Sequence, residues 1–189
     1  EHIRVWGFAD ASENGRKVSG EFMGMFAEAR IENGAWTLTF GARLNACAEQ
    51  GNSMRIYTDK TAFVFENVLV GDVFMVIGQS NVAYSMAAHR AAVPEAERGG
   101  VGYDVPSTPI RLHYNSLTQE TGVTRGTEEV CAELRNRETW KRADAAAVQD
   151  FSALGYLFAA EYARATGVPV GVIEIDGNGQ PIGAFLPNS

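Results

Sequence analysis

Val73-Phe74-Met75-Val76-Ile77-Gly78-Gln79-Ser80-Asn81 is the stretch that decides how this chain reads. Five apolar residues without alternation suit a strand covered on both faces of a parallel sheet, not a half-exposed hairpin strand. The run ends at Gly78, and the Ala-rich residues from Val82 to Ala92 are predicted to continue as a helix. A strand that leaves through a glycine and a serine places that serine at the carboxyl end of a sheet. That is where α/β proteins gather their sites.

Toward the C-terminus the same grammar repeats. Leu154, Leu157, Phe158, Glu161, Tyr162 and Ala165 recur at helical spacing, with Glu161 the one break in the apolar face. Asp150 or Ser152 can cap this helix, and Gly167 and Pro169 stop it. Val170-Gly171-Val172-Ile173-Glu174-Ile175 is the next buried strand, and Asp176-Gly177-Asn178-Gly179 is a glycine-rich turn. Between Pro94 and Arg142 only Ile110 to Tyr114 reads as a strand. The remainder is irregular and rich in Gly, Thr and Glu.

Toward the N-terminus the period changes to two. Ile3 to Phe8, Val18 to Phe22, Met25 to Ile31, Trp36 to Phe40, Met54 to Thr58 and Ala62 to Val68 are predicted strands. Asn33-Gly34 between two of them is a strong hairpin signal, since both turn residues must accept positive φ. The reading is an α/β chain in two parts. Residues 1–67 form a small antiparallel β-sandwich, and residues 68–189 carry a parallel sheet.

Composition narrows the function classes. The 189 residues are 46% hydrophobic and 21% charged, with a net charge of -7 and scattered basic residues. That balance argues against a nucleic-acid binder. No apolar run approaches the roughly 20 residues that span a bilayer, and no basic flank with an apolar stretch marks a signal peptide. Cys47 and Cys131 suit either one disulfide or two free thiols. No Cys-x-x-Cys, helically spaced His pair or run of carboxylates suggests a metal site, and no cofactor is expected.

On spacing alone Ser80 reads either as a helix N-cap or as a nucleophile, and it lies outside the Gly-x-Ser-x-Gly pattern because Val82 replaces the second glycine. Gly177 and Gly179 are either turn glycines or donors to an oxyanion. A serine nucleophile needs a base within hydrogen-bond reach. His2 lies among the β residues and His113 within a strand. His89 falls some two and a half helical turns beyond Ser80, too far along the axis of a continuous helix. None has an acid three positions earlier, so the triad does not close within these residues.

The chain resembles the sialate O-acetylesterase-like branch of the SGNH hydrolases, which also holds acetylxylan esterase relatives. Asn67 to Phe74 running into Gly78-Gln79-Ser80-Asn81 resembles the family's nucleophile block. Phe151 to Phe158 resembles its second helix, and Gly167 to Ile173 resembles the strand before its oxyanion glycine. The resemblance implies an SGNH-type three-layer parallel sheet, incomplete in this chain, behind a small β-domain. It implies a serine carbohydrate O-acetylesterase acting on acetylated sugars of the sialic acid or xylan kind, in a secreted or periplasmic setting. Ser80 would be the nucleophile, with its own N–H and that of Gly179 as the oxyanion hole. Val82 stands where the family has Met, and Ile175 to Gln180 replace its Ser-Ser-Trp-Gly-Gly-Thr.

The family's Asp-x-x-His block is not found before Ser189. The expectation is that a C-terminal segment or a second polypeptide supplies it, and that this chain alone is essentially inactive. Two rival readings remain: a non-catalytic carbohydrate-binding or degenerate relative, and an interaction domain in which Ser80 is only a helix cap.

Overall fold

The computed structural model describes residues 2–41, 45–47, 52–98, 103–116, 140–177, 179, 181 and 183. They fall into two compact units, Glu1–Val70 and Gly71–Ser189. Cys131 lies outside the described residues. Cys47 is a free thiol whose sulfur accepts from Asn52 Nδ2 at 3.4 Å.

The first unit is built from two antiparallel sheets. β1 (Ile3–Phe8) pairs with β4 (Ala35–Phe40). A four-stranded sheet has the order β3 (Met25–Arg30), β2 (Lys17–Phe22), β5 (Met54–Tyr57), β6 (Ala62–Phe65). Val18, Phe22, Leu38, Phe40, Met54 and Ile56 form one buried cluster between the sheets. Gly20 permits the close approach, because a Cβ there would lie 2.6 Å from Leu38 Cδ1.

The turns depart from the sequence reading. Asn33 and Gly34 both take positive φ, and Glu32 and Ala35 exchange hydrogen bonds across them. That closes a two-residue turn, but the pairing stops after one bridge because β4 turns to β1 and β3 to β2. β2–β3 is a full hairpin, through Met23-Gly24, with φ of 48° and 75°. Its first residue is a methionine, so the usual Asn or Asp signal is missing.

In the second unit β7 (Asp72–Gly78), β10 (Val170–Asp176), β8 (Ile110–Ser116) and β9 (Lys141–Arg142) form one sheet in that order. β10 is parallel to both β7 and β8, and β9 runs antiparallel to β8. α1 (Met86–Ala92), α2 (Ala145–Gln149) and α3 (Ala153–Thr166) contribute Met86, Val148 and Tyr156 to the core beneath Val170 and Val172. Three expectations change here. α1 starts at Met86, not Val82. α2 and β9 lie where the sequence reading placed no element.

The third change concerns α3. Its buried side is Ala153, Gly155, Tyr156, Ala159, Ala160 and Ala163, whereas Leu154 and Phe158 are 56% and 48% exposed. Small residues let the helix axis approach the sheet. A Cβ on Gly155 would meet Val76 Cγ1 at 2.9 Å. The larger apolar stripe then turns to the side, where Phe158 and Tyr162 pack edge-on against Phe74 of β7. Ser152 is the N-cap, its Oγ accepting from Gly155 N, and Asp150 instead ends α2.

β7 and β10 start together at a point of backbone contact. Asp72 N donates to Pro169 O at 3.0 Å, and a Cβ on Gly71 would lie 2.0 Å from that oxygen. Backbone must move to admit it. Gly71→Ala is expected to cost about 1–3 kcal/mol of unfolding free energy in urea titration. A cost near zero would show that the two strands separate there without loss.

Candidate functional site

β7 and β10 end level with one another. Asp176 is the register partner of Gly78, and Gly177 N donates to Gly78 O at 2.9 Å, extending the ladder by one bond. The loops after both strands therefore leave the same edge of the sheet. Ser80 follows β7 by two residues and Gly179 follows β10 by three.

The Ser80 loop is a tight reversal. Gln79 O accepts from Val82 N at 2.8 Å and from Ala83 N at 3.0 Å. Val82 folds inward to 5% exposure, and a Cβ on Gly78 would lie 2.8 Å from its Cγ2. Ser80 and Asn81 are left exposed at the apex. Among the described residues neither the hydroxyl nor the N–H of Ser80 has a hydrogen-bond partner. The helix cap is Ser85, whose Oγ accepts from Ala88 N at 3.2 Å. Reading Ser80 as a cap is thereby overturned, because the chain makes a full turn before α1 begins.

The two glycines separate in role. Gly177 is buried and its N–H is committed to Gly78 O, so it is not free to meet an oxyanion. Gly179 is exposed with φ of 73°, a left-handed conformation that strains any other residue.

His89 lies on α1, and since no helix runs from Ser80 to it, the helical-rise argument against it does not apply. Its Nε2 lies 2.7 Å from Tyr103 Oη, and the two rings stack. His113 pairs in register with Ile173 of β10, three residues before the level of Asp176, and packs edge-on against Trp140. Three residues of strand rise and two strand spacings put its Cα some 10 Å along and 10 Å across from the end of β7. Among the described residues its Nδ1 is buried without a partner. His2 is exposed in the first unit.

Two carboxylates lie on β10 close to its carboxyl end. Glu174 and Asp176 share one face of β10 and are 1% and 3% exposed. Glu174 Oε2 accepts from Ser152 N at 2.8 Å, and among the described residues Asp176 Oδ1 is buried without a partner. Burial pushes the Glu174 carboxyl up to about 7, against the Ser152 hydrogen bond and with help from the Asp176 charge. The signal was present as two acids spaced by two in an apolar strand.

Among the described residues no group of three or more His, Cys, Asp or Glu is placed to hold a metal ion. Among them too, no helix is long and apolar enough to cross a membrane. No protein-family model matches the sequence, and no curated protein matches it. The fold matches the crystal structure of XAC1771, a carbohydrate acetylesterase from Xanthomonas citri, with a TM-score of 0.73 and 24% sequence identity. The match covers 98% of this chain and 39% of that one.

The Glu174 shift has a definite sign. Its folded value lies above the unfolded 4.5, so the folded state holds a proton that the unfolded chain releases. Stability from the neutral form is complete below about pH 4 and is lost as pH rises through about 7, a total on the order of 3 kcal/mol. Urea midpoints at pH 5 and pH 8 are expected to fall further for wild type than for Glu174→Gln. Parallel declines would show that Glu174 does not titrate in this range.

Proposed function

We propose that this chain is the nucleophile-bearing part of an SGNH-type, sialate O-acetylesterase-like carbohydrate acetylesterase. One observation carries the reading. An exposed serine stands on a tight turn at the carboxyl end of a parallel strand, beside the exit of the neighbouring strand, in a fold shared with a carbohydrate acetylesterase. A nucleophile must be presented on a constrained backbone with its hydroxyl free, and Ser80 meets both conditions.

In this reading Ser80 Oγ attacks the carbonyl carbon of a sugar acetyl ester while an imidazole takes its proton. The tetrahedral oxyanion is held by the N–H groups of Ser80 and Gly179. The C–O bond to the sugar then breaks, the imidazole returns the proton to the sugar oxygen, and acetyl-Ser80 remains. Water attacks it with the same base, releasing acetate.

The imidazole is assigned to an Asp-x-x-His element outside residues 1–189. The engagements of His89 and His113 described above support this. So does β7, which has a partner on one side only among the described strands. Val73, Met75 and Ile77 on one of its faces are 62%, 55% and 45% exposed. An apolar face beside an unpaired strand edge is the surface that a further strand and helix of a three-layer sheet would cover.

Ser80→Ala in the gene product that carries the Asp-x-x-His element is expected to cut p-nitrophenyl acetate turnover by several orders of magnitude, with unchanged unfolding. A serine-directed fluorophosphonate should label Ser80, and labelling of another residue would sink the assignment. Gly179→Ala should slow turnover roughly a hundredfold by turning its amide away. Residues 1–189 alone should turn over far more slowly than the complete gene product. Equal rates would place the base within this chain.

A further inference from the structure

The Ser80 loop has two fixed ends. The near end is Gly78, held by Gly177 N. The far end is Ser85, which forms an isolated bridge with Ser152. Two hydrogen bonds make that bridge: Met86 N donates to Phe151 O at 2.9 Å, and Ala153 N donates to Tyr84 O at 2.9 Å. The first turns of α1 and α3 are thereby tied together, each capped by its own serine.

Ser152 is wholly buried, and its N–H donates to Glu174 Oε2. A buried amide without an acceptor loses its hydration with nothing in return, so this position calls for an oxygen. Glu174 supplies it from the middle of β10, the strand that also sets the near end of the loop. Its register neighbours are Val76 on β7 and Tyr114 on β8, and Asp176 lies two residues on. One strand therefore holds both ends of the turn that presents Ser80.

We propose that Glu174 is a positioning residue, fixing the far end of the Ser80 loop through the Ser152 N–H and the Ser85–Ser152 bridge. Its bearing on ester chemistry rests on the function proposed above, whereas the anchoring does not.

The experiment uses the full-length protein as wild type, Glu174→Ala, Glu174→Asp and Glu174→Gln, at a temperature where circular dichroism shows each fully folded. Hydrogen exchange of amides 79–85 reads the loop, and the rate of fluorophosphonate attachment reads Ser80. Glu174→Ala is expected to raise exchange and lower attachment, each tenfold or more. Glu174→Gln keeps an acceptor oxygen and should restore both to within about threefold. If Glu174→Ala does not fold, Glu174→Asp carries the test, since one methylene less withdraws the acceptor. A lower melting temperature with both rates unchanged overturns the proposal, because Glu174 would then only stabilise. If the exchange pattern holds while wild-type Ser80 takes no label, the anchoring stands and the esterase reading falls.

Discussion

The second unit depends on β10 being paired in parallel on both sides. Its seven residues run in unbroken register with β7 and β8, so the ends of three strands are set by one. Parallel strands cannot be joined by short turns, and their alignment comes from the segments that cross between them. Here α3 leads directly into β10 through Gly167, which takes φ of 67° and ends the helix. The approach of α3 to the sheet and the alignment of the strand ends are two consequences of one short connection.

That approach explains an inversion which sequence periodicity could not reveal. Helical spacing marks Leu154, Leu157, Phe158, Tyr162 and Ala165 as an apolar face, and the spacing is real. Yet the side that meets the sheet is mostly glycine and alanine around Tyr156, and Gly155 lies against Val76 with no room for a methyl group. A pattern count weighs hydrophobicity and ignores how near two backbones come. Gly71 is a second such close approach, to Pro169 almost a hundred residues away.

What was legible followed from local rules. Strand cores, the Ser152 cap, the glycine stop and the turn at Asn33-Gly34 depend on residues near one another in the chain. What failed depended on distant partners. Val82 to Ser85 carry helix-compatible residues, but the inward fold of Val82 against Gly78 spends those positions on a reversal, and α1 waits for Ser85. Asn33-Gly34 turned as expected, but whether β3 or β1 would take β4 was settled by the two-sheet core around Leu38 and Phe40. For the candidate site, the strand ends and Ser80 were visible in sequence. The Glu174–Ser152 contact was not, since it joins residues 22 apart on different elements.

The two acids on β10 bring these threads together. A face that packs against helices would ordinarily be apolar throughout, and Val170 and Val172 keep to that rule. Glu174 breaks it at the point where α3 begins, and there the break has a physical reason. A helix N-terminus presents N–H groups that its own turns cannot satisfy. Ser152 Oγ accepts from Gly155 N, but the N–H of Ser152 itself still needs an acceptor in a place closed to water. Burial keeps the Glu174 carboxyl largely protonated up to near neutrality, which avoids a full charge in the core while leaving an oxygen to accept. Asp176 sits nearer the carboxyl end of the strand, level with Gly78, with an oxygen unmatched among the described residues. Polarity along this face of β10 thus increases toward the end where Ser80 is exposed.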